Sequence, residues 1–390
     1  MAPDRPIVPS ALAGADALLR RGVEDGAELG ASLTVVREGR VVLDTWAGWT
    51  DRDRTVPWQP DTITALWSST KTVIALAIWL LHDRGALDVD RPVAHYWPEF
   101  AQAGKGDITV LQVLAHTSGV PAWSPAITVS DLYDWEASTA DLAASAPWFT
   151  PGSSPGYHLM NQGHLLGEVI RRVTGMMPGE LVAAEITGPL GADLHIGLAP
   201  EHDARVSPVV PPRPVELDPV DEEGIAARAL LQPFLHVRES HSERWLRGQV
   251  PAANGFGNAR SLAMVQSIVS HGGEFAGRQW LSPSTIERIL TPLVGGVDLV
   301  LGLPIVFGPG WALAGSLPSA PEPGRRCYWG GLGGSVVVND IATHTTVAYV
   351  MNRMRFEYPV GGPRVTRPCG DSRFDAYLAA LDAAWEDFDG

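Results

Sequence analysis

Three short stretches of the chain bring together residue types that can do acyl chemistry. The first is Ser68-Ser69-Thr70-Lys71, a S-x-x-K. A serine hydroxyl is a weak nucleophile and needs a base beside it. A lysine three residues on is its neighbour on a helix surface. That lysine serves as the base once burial lowers its pKa, because desolvation disfavours the charged form. A nucleophile at a helix start also gains from the positive end of the dipole when an oxyanion forms. Ser69 is the competing nucleophile by type, but its i,i+2 spacing does not face Lys71. The second stretch delivers Tyr157 from a Pro/Gly loop just before a helix start, in PGSSPGYHLMNQGHLLGEVIRR. A phenol near a cation can act as general base or acid. The third is Trp329-Gly330-Gly331-Leu332-Gly333-Gly334-Ser335, ahead of VVVND. Glycines in a strand interior mark close approach by another backbone or a ligand, and a strand there can offer a backbone N–H to a developing oxyanion.

Each stretch also has an ordinary reading. S-x-x-K is short enough to arise by chance, Tyr157 fits a residue packing its loop onto a helix, and the glycines fit a bulge or tight hairpin. Two observations favour chemistry at Lys71. It opens an otherwise apolar helix, where an unpaired charge is costly. And of 29 basic residues only Lys71 and Lys105 are lysines, so a lysine here suits a task arginine cannot do, since a guanidinium does not deprotonate. Other motifs read as structural. Gly152-Ser153-Ser154-Pro155-Gly156 fits G-x-S-x-G, but flanking Pro151 and Pro155 and the lack of a preceding strand argue against a nucleophile elbow. His236, Glu239 and His241 lack the H-E-x-x-H spacing and read as a solvated polar face. His116, in HTSG, reads as capping or bracing a turn.

The elements that must position these residues follow from periodicity. Residues 10–29 read as a helix. ASLTVVREGRVVLDTWAG alternates around a Glu38-Gly39 turn, as a hairpin does. The segment after it, with Pro57 and Pro60, is loop. Residues 69–84 form a helix that is apolar nearly all round and so belongs in the interior. From about 85 to 300, helices alternate with long Pro/Gly connections: ITVLQVLAHTSG ends a helix at Gly119, 161–174 is stopped by Gly175, 205–224 is a surface loop with five prolines, and 258–271 is a further helix. Strands return in VDLVLGLPIVFG, CYWGG, GSVVVND and TTVAYVMNR, and RFDAYLAALDAAWEDF closes the chain as an amphipathic helix. The expected fold class is α/β (α+β): one antiparallel sheet built from both termini, flanked by terminal helices, with a large helical insertion. This divides the chain into a discontinuous α/β domain (1–85 and 295–390) and a mainly helical domain (86–294), with the active-site cleft between them.

Composition excludes several function classes. A net charge of −15 with no Lys/Arg cluster leaves no basic footprint for nucleic acid. Two cysteines, Cys327 and Cys369, are too few for a disulfide framework or a cysteine zinc site. The N-terminal stretch carries Asp4 and early prolines and has no uninterrupted apolar region, so it does not read as a signal peptide. The most apolar run, Thr72 to Leu81, is about half of a bilayer span. The expected protein is cytoplasmic, with no cofactor, no metal, no nucleic acid and no membrane partner. Its oligomeric state is left open.

Taken together, the three motifs resemble the serine β-lactamase and penicillin-binding-protein superfamily, and above all the β-lactamase-like carboxylesterases with the class C β-lactamase fold. The resemblance extends through LHDRGALDVDRPVAHYWPEF at 81–100, LAHTSG at 114–119, and GEVIRRVTG before residue 176. It implies Ser68 as acylated nucleophile, Lys71 and Tyr157 as general base and acid, and an oxyanion hole from the N–H groups of Ser68 and Leu332 in the Trp329, Gly330, Gly331, Leu332 strand. Removing one such donor typically costs about 3 kcal/mol. Two departures bear on substrate. Relatives that act on β-lactams or D-Ala peptides carry Lys-Thr-Gly or His-Thr-Gly where this chain has Trp329-Gly330-Gly331, and losing a charge-assisted contact costs about 1.5–3 kcal/mol. Trp329 instead offers a flat apolar wall. The usual Tyr-x-Asn is Tyr157-His158-Leu159, with Asn161 two residues too late. Both favour a small neutral carboxylic ester as the partner, cleaved through an acyl-enzyme. Acyl transfer to an alcohol or amine, weak β-lactamase or D-aminopeptidase activity, and a silent scaffold are the alternatives.

Overall fold

The computed structural model describes residues 6–212, 224–313, 325–355 and 372–388. Among these, the main sheet has eight strands: β1 (Gly30–Arg37), β2 (Arg40–Gly48), β3 (Val294–Val297), β4 (Pro304–Phe307), β5 (Ala312–Leu313), β6 (Arg326–Gly330), β7 (Val336–Asp340) and β8 (Thr345–Met351). Their spatial order is β2-β1-β8-β7-β6-β5-β4-β3, with every pairing antiparallel. The N-terminal hairpin therefore docks on the last strand, with Val35 opposite Val347 and Leu33 opposite Tyr349. This is the antiparallel sheet built from both ends of the chain that the strand patterns imply.

Side chains alternate across the sheet. On β8, Ala348 and Val350 enter one core together with Ile74 and Ile78 of α2 (Thr70–Asp83) and Leu262 and Val265 of a later helix. Val347, Tyr349 and Met351 enter the other core, beside Ala15 and Leu19 of α1 (Ala13–Glu24) and Phe374 and Leu381 of the terminal helix. With both faces covered, β7 and β8 are buried at every position. That explains why VVVND and TTVAYVM read as nearly continuous apolar runs. Three further helices matter below: α3 (Gln162–Thr174), α4 (Ala259–Ser270) and α5 (Ser372–Phe388). No helix among the described residues is long and apolar enough to cross a membrane.

Several boundaries differ from the sequence reading. The first helix stops at Glu24, because Asp25 accepts the Ala27 N–H and Gly26 turns the chain with φ of 79°. The helix before HTSG is only Val110–Leu114, since His116 takes φ of 59° and breaks it long before Gly119. The apolar run from Val297 to Gly308 is two strands, β3 ending and β4 beginning, around a turn at Asp298. Gly175 stops α3 in the left-handed region, as expected. Most of the proline-rich 205–224 segment, and Cys369, lie outside the described residues.

Candidate active site

From Thr62 to Leu81 every residue is buried except Ser68. Ser68 lies in a 3₁₀ turn, Trp67–Ser69, that leads into α2 rather than on the helix itself. Residues three apart eclipse each other in such a turn, and Lys71 Nζ stands 3.1 Å from Ser68 Oγ. Trp67 holds a left-handed φ of 48°, a strain of roughly 1–3 kcal/mol for a non-glycine residue, with its ring buried against Trp245 at 5.3 Å. A second strand segment fixes this turn. Leu66 N–H donates to Gly255 O at 2.8 Å, and Gly255 N–H to Thr70 Oγ1 at 3.0 Å. A Cβ at Gly255 would meet Thr70 Oγ1 at 2.5 Å, so only glycine permits the approach. Ser69 is fully buried, its Oγ 3.2 Å from Ser335 Oγ, so Ser68 carries the more exposed hydroxyl of the two.

Lys71 donates to two main-chain carbonyls, Leu159 O at 2.7 Å and Ala252 O at 3.0 Å. The second is within reach because α3 packs on the 251–252 backbone through Gly163, where a Cβ would meet Ala252 N at 2.2 Å. No carboxylate pairs with Lys71 among the described residues, and burial holds its amine well below the usual lysine range. A neutral amine has two N–H bonds and one lone pair. With the two carbonyls taking the N–H bonds, the lone pair is left for the Ser68 hydroxyl proton. The same two carbonyls can also accept from an ammonium.

Tyr157 sits beside the amine, with Lys71 Nζ 4.8 Å from its ring centroid. The Trp329 Nε1–H donates to the Tyr157 hydroxyl at 3.2 Å. His116 packs on the tyrosine ring at 4.7 Å and lies in the same aromatic cluster as Phe307 and Trp329. The imidazole of His116 is buried, and desolvation above all lowers its pKa well below the ordinary histidine value. Its Nδ1 accepts the His158 N–H at 3.1 Å, which ties its turn to the Tyr157 segment rather than capping the turn itself. The sequence did not reveal that the same side chain forms part of the site.

The glycine strand ends against the Ser68 turn. Gly331 N–H donates to Ser335 O at 2.7 Å, and Ser335 Oγ donates to Leu66 O at 2.8 Å. A Cβ at Gly331 would lie 2.3 Å from both Leu66 O and Ser335 Oγ and 3.0 Å from Trp67 Cβ. Glycine is therefore required for β6 to reach the turn. The N–H groups of Ser68 and Leu332 carry no hydrogen bond among the described residues. Of the expected site residues, Ser68, Lys71, Tyr157, Trp329, Gly330, Gly331 and Leu332 stand together around this point.

Three expectations need correcting or completing. Trp329 is not an open wall: it is only 2% exposed, and its polar edge is engaged with Tyr157. The position where Tyr-x-Asn would supply an amide, Leu159, contributes its main-chain oxygen to Lys71 instead. Asn161 is fully buried and donates to Val120 O at 2.7 Å. Among the remaining motifs, Ser153 donates to Thr150 O in a turn, and no strand leads into Ser154. Glu239 is engaged by Arg244, Tyr133 and Ser242. The main-chain oxygens on Lys71 left no signal in the sequence, because every residue type supplies one.

The sequence profile of the β-lactamase family matches residues 15–366. The chain belongs to the β-lactamase family. It is 31% identical over 340 residues to the esterase/β-lactamase LipL of Mycobacterium tuberculosis, covering 83% of this chain and 77% of that protein. The structure of a family VIII carboxylesterase superposes with a TM-score of 0.89 at 32% identity, over 97% of this chain and 99% of the other. A penicillin-binding-protein homologue from Caulobacter crescentus superposes with a TM-score of 0.87 at 36% identity, over 97% and 98%. This β-lactamase-family member thus has the fold that its motifs imply, with a tryptophan where the lactam-cleaving resemblance predicts a cation.

Proposed function

We propose that this protein is a serine carboxylesterase that hydrolyses small neutral esters through an acyl-enzyme on Ser68. The observation that carries the reading is the pairing of the single partly exposed residue in a buried stretch, Ser68, with a desolvated amine at 3.1 Å. In the forward step the Lys71 lone pair takes the Ser68 proton as Oγ attacks the ester carbonyl carbon. The oxygen that becomes negative is met by the N–H groups of Ser68 and Leu332. Tyr157 carries the proton to the departing alcohol, and water reverses the sequence to free the acid. The relatives' names, an esterase/β-lactamase and a family VIII carboxylesterase, support ester cleavage.

The substrate reading rests on Trp329. A cation at this position would hold a substrate carboxylate, whereas an indole engaged with Tyr157 and packed on Phe307 cannot. The test is hydrolysis of a panel of short-chain chromogenic esters by the parent and by Ser68→Ala, with intact-mass measurement of the parent under turnover. The expected result is an acyl mass increment on Ser68 and no hydrolysis by S68A. Hydrolysis at the parental rate by S68A would refute the proposal, and rapid turnover of a chromogenic cephalosporin would overturn its substrate class.

A further inference from the structure

Tyr157 lies in a segment with no helix or strand of its own, between Pro155 and Met160. Even so, three consecutive main-chain N–H groups there are each held from elsewhere in the fold. Gly156 N–H donates to His116 O at 2.9 Å, Tyr157 N–H to Asp298 Oδ1 at 3.1 Å, and His158 N–H to His116 Nδ1 at 3.1 Å. His116 is already part of the aromatic cluster around the phenol. Asp298 comes from the β3–β4 connection at the far edge of the sheet, in the run Val-Asp-Leu-Val-Leu.

Asp298 is fully buried. The same Oδ1 also accepts the N–H groups of Val300 and Leu301, at 2.9 and 2.8 Å, while Oδ2 is buried without a hydrogen-bond partner. Burial raises the carboxyl's pKa in spite of the three N–H donors. The Asp298 main chain closes its own turn, donating to Leu303 O and accepting from Gly302 N–H. Beside it, Leu299 N–H donates to Pro155 O at 2.9 Å, two residues before the tyrosine. A turn that needs only closure is served by an exposed Asp, Asn or Gly. Burying a carboxyl group is costly, and the additional contact that this burial secures is the one to Tyr157.

We infer that Asp298 is a positioning residue for Tyr157: by fixing the tyrosine's main-chain amide it sets where the phenol stands relative to Lys71 and Ser68. The inference rests on the proposed role of Tyr157 as proton carrier. The phenol oxygen lies at the end of a long rigid side chain, so a small rotation of the backbone displaces it. A misplacement of about 1 Å can cost on the order of a hundredfold in rate.

The test compares Asp298→Ala and Asp298→Asn in the parent and in a Tyr157→Phe background. Steady-state rates on a short-chain ester are normalised to sites titrated with a serine-directed phosphonate. D298A is expected to lower kcat by about ten- to a hundredfold with KM within about threefold of the parent. D298N keeps an oxygen acceptor for the three N–H groups and is expected to restore kcat to within about threefold. In the Y157F background the D298A effect is expected to shrink to about twofold, because both changes act on one group. An unchanged kcat per titrated site in D298A, with Y157F crippled, overturns the positioning role and leaves the Tyr157 reading intact. An equal D298A effect in both backgrounds overturns it too. Parental kcat in Y157F itself overturns the reading of Tyr157, and this inference with it. If D298A gives no titratable protein, Asp298→Ser takes its place with the same outcomes.

Discussion

The indole N–H of Trp329 donates to the hydroxyl oxygen of Tyr157 at 3.2 Å, with the two ring centroids 5.0 Å apart. A donor aimed at a phenol oxygen favours its charged form, so in the proposed mechanism Trp329 assists the proton traffic of Tyr157. Trp329→Phe retains most of the packing on His116 and Phe307 and removes the donor. A hydrogen bond of about 0.5–1.5 kcal/mol predicts a two- to tenfold fall in kcat/KM on a short-chain ester. An unchanged value would show that the contact is incidental to the chemistry.

Lys71 has to be neutral to accept the serine proton. Its pKa lies well below the ordinary lysine value because it is desolvated, so the competent form is present above that lowered pKa. Activity is lost as pH falls through it. Lys71→Arg keeps a cation but no accessible lone pair, and its kcat should fall by about a hundred- to ten-thousandfold, the usual worth of a positioned base. A K71R enzyme with a tenth of parental activity would remove the amine from the mechanism.

The two neighbouring serines should separate cleanly. Ser69→Ala loses the contact with Ser335 Oγ but leaves the partly exposed hydroxyl in place. A serine-directed phosphonate should therefore add its mass to S69A and to the parent, and not to S68A. Labelling of S68A at the parental rate would point to a different nucleophile.

Gly331→Ala forces a methyl group onto the Leu66 carbonyl and Ser335 Oγ, both 2.3 Å from the ideal Cβ position. Backbone on one side and a hydrogen-bonded hydroxyl on the other leave little room to yield. The expected loss is about 1–3 kcal/mol of stability, read as a lower melting temperature, together with reduced esterase activity as β6 moves away from the Ser68 turn. A melting temperature equal to the parent's would contradict the tight approach.

His164 is buried between the rings of Trp123 and Trp135, and desolvation lowers its pKa from 6.5 to about 4. The unfolded chain takes up that proton at higher pH than the folded chain does. Its contribution to stability is complete above pH 6.5 and is lost as pH falls towards 4. At most about 3 kcal/mol is at stake. Denaturant unfolding at pH 7 and pH 5 should show a smaller pH effect in His164→Asn than in the parent. Equal slopes would assign acid sensitivity elsewhere, for example to His158, whose pKa is likewise lowered to about 4 by burial.

Much of this protein was legible one residue type at a time. The apolar circumference of Thr70–Leu81 required an interior helix. The alternating and β-branched runs required strands, and the spacing of Ser68 and Lys71 required side chains that meet. These are local properties, set by helical and strand geometry and by the cost of an unpaired buried charge, so a linear chain carries them. The partners of Lys71, the pinning of Tyr157 by Asp298 and His116, and the turn of the Trp329 indole towards Tyr157 were not legible. They join segments as far apart as 71 and 252, or 157 and 298, through main-chain groups common to every residue or through the direction of a side chain. Such contacts exist only once the two cores have closed and fixed the distances between otherwise unrelated stretches of chain. For this reason the sequence determined which groups could react, and packing alone decided how they are aimed.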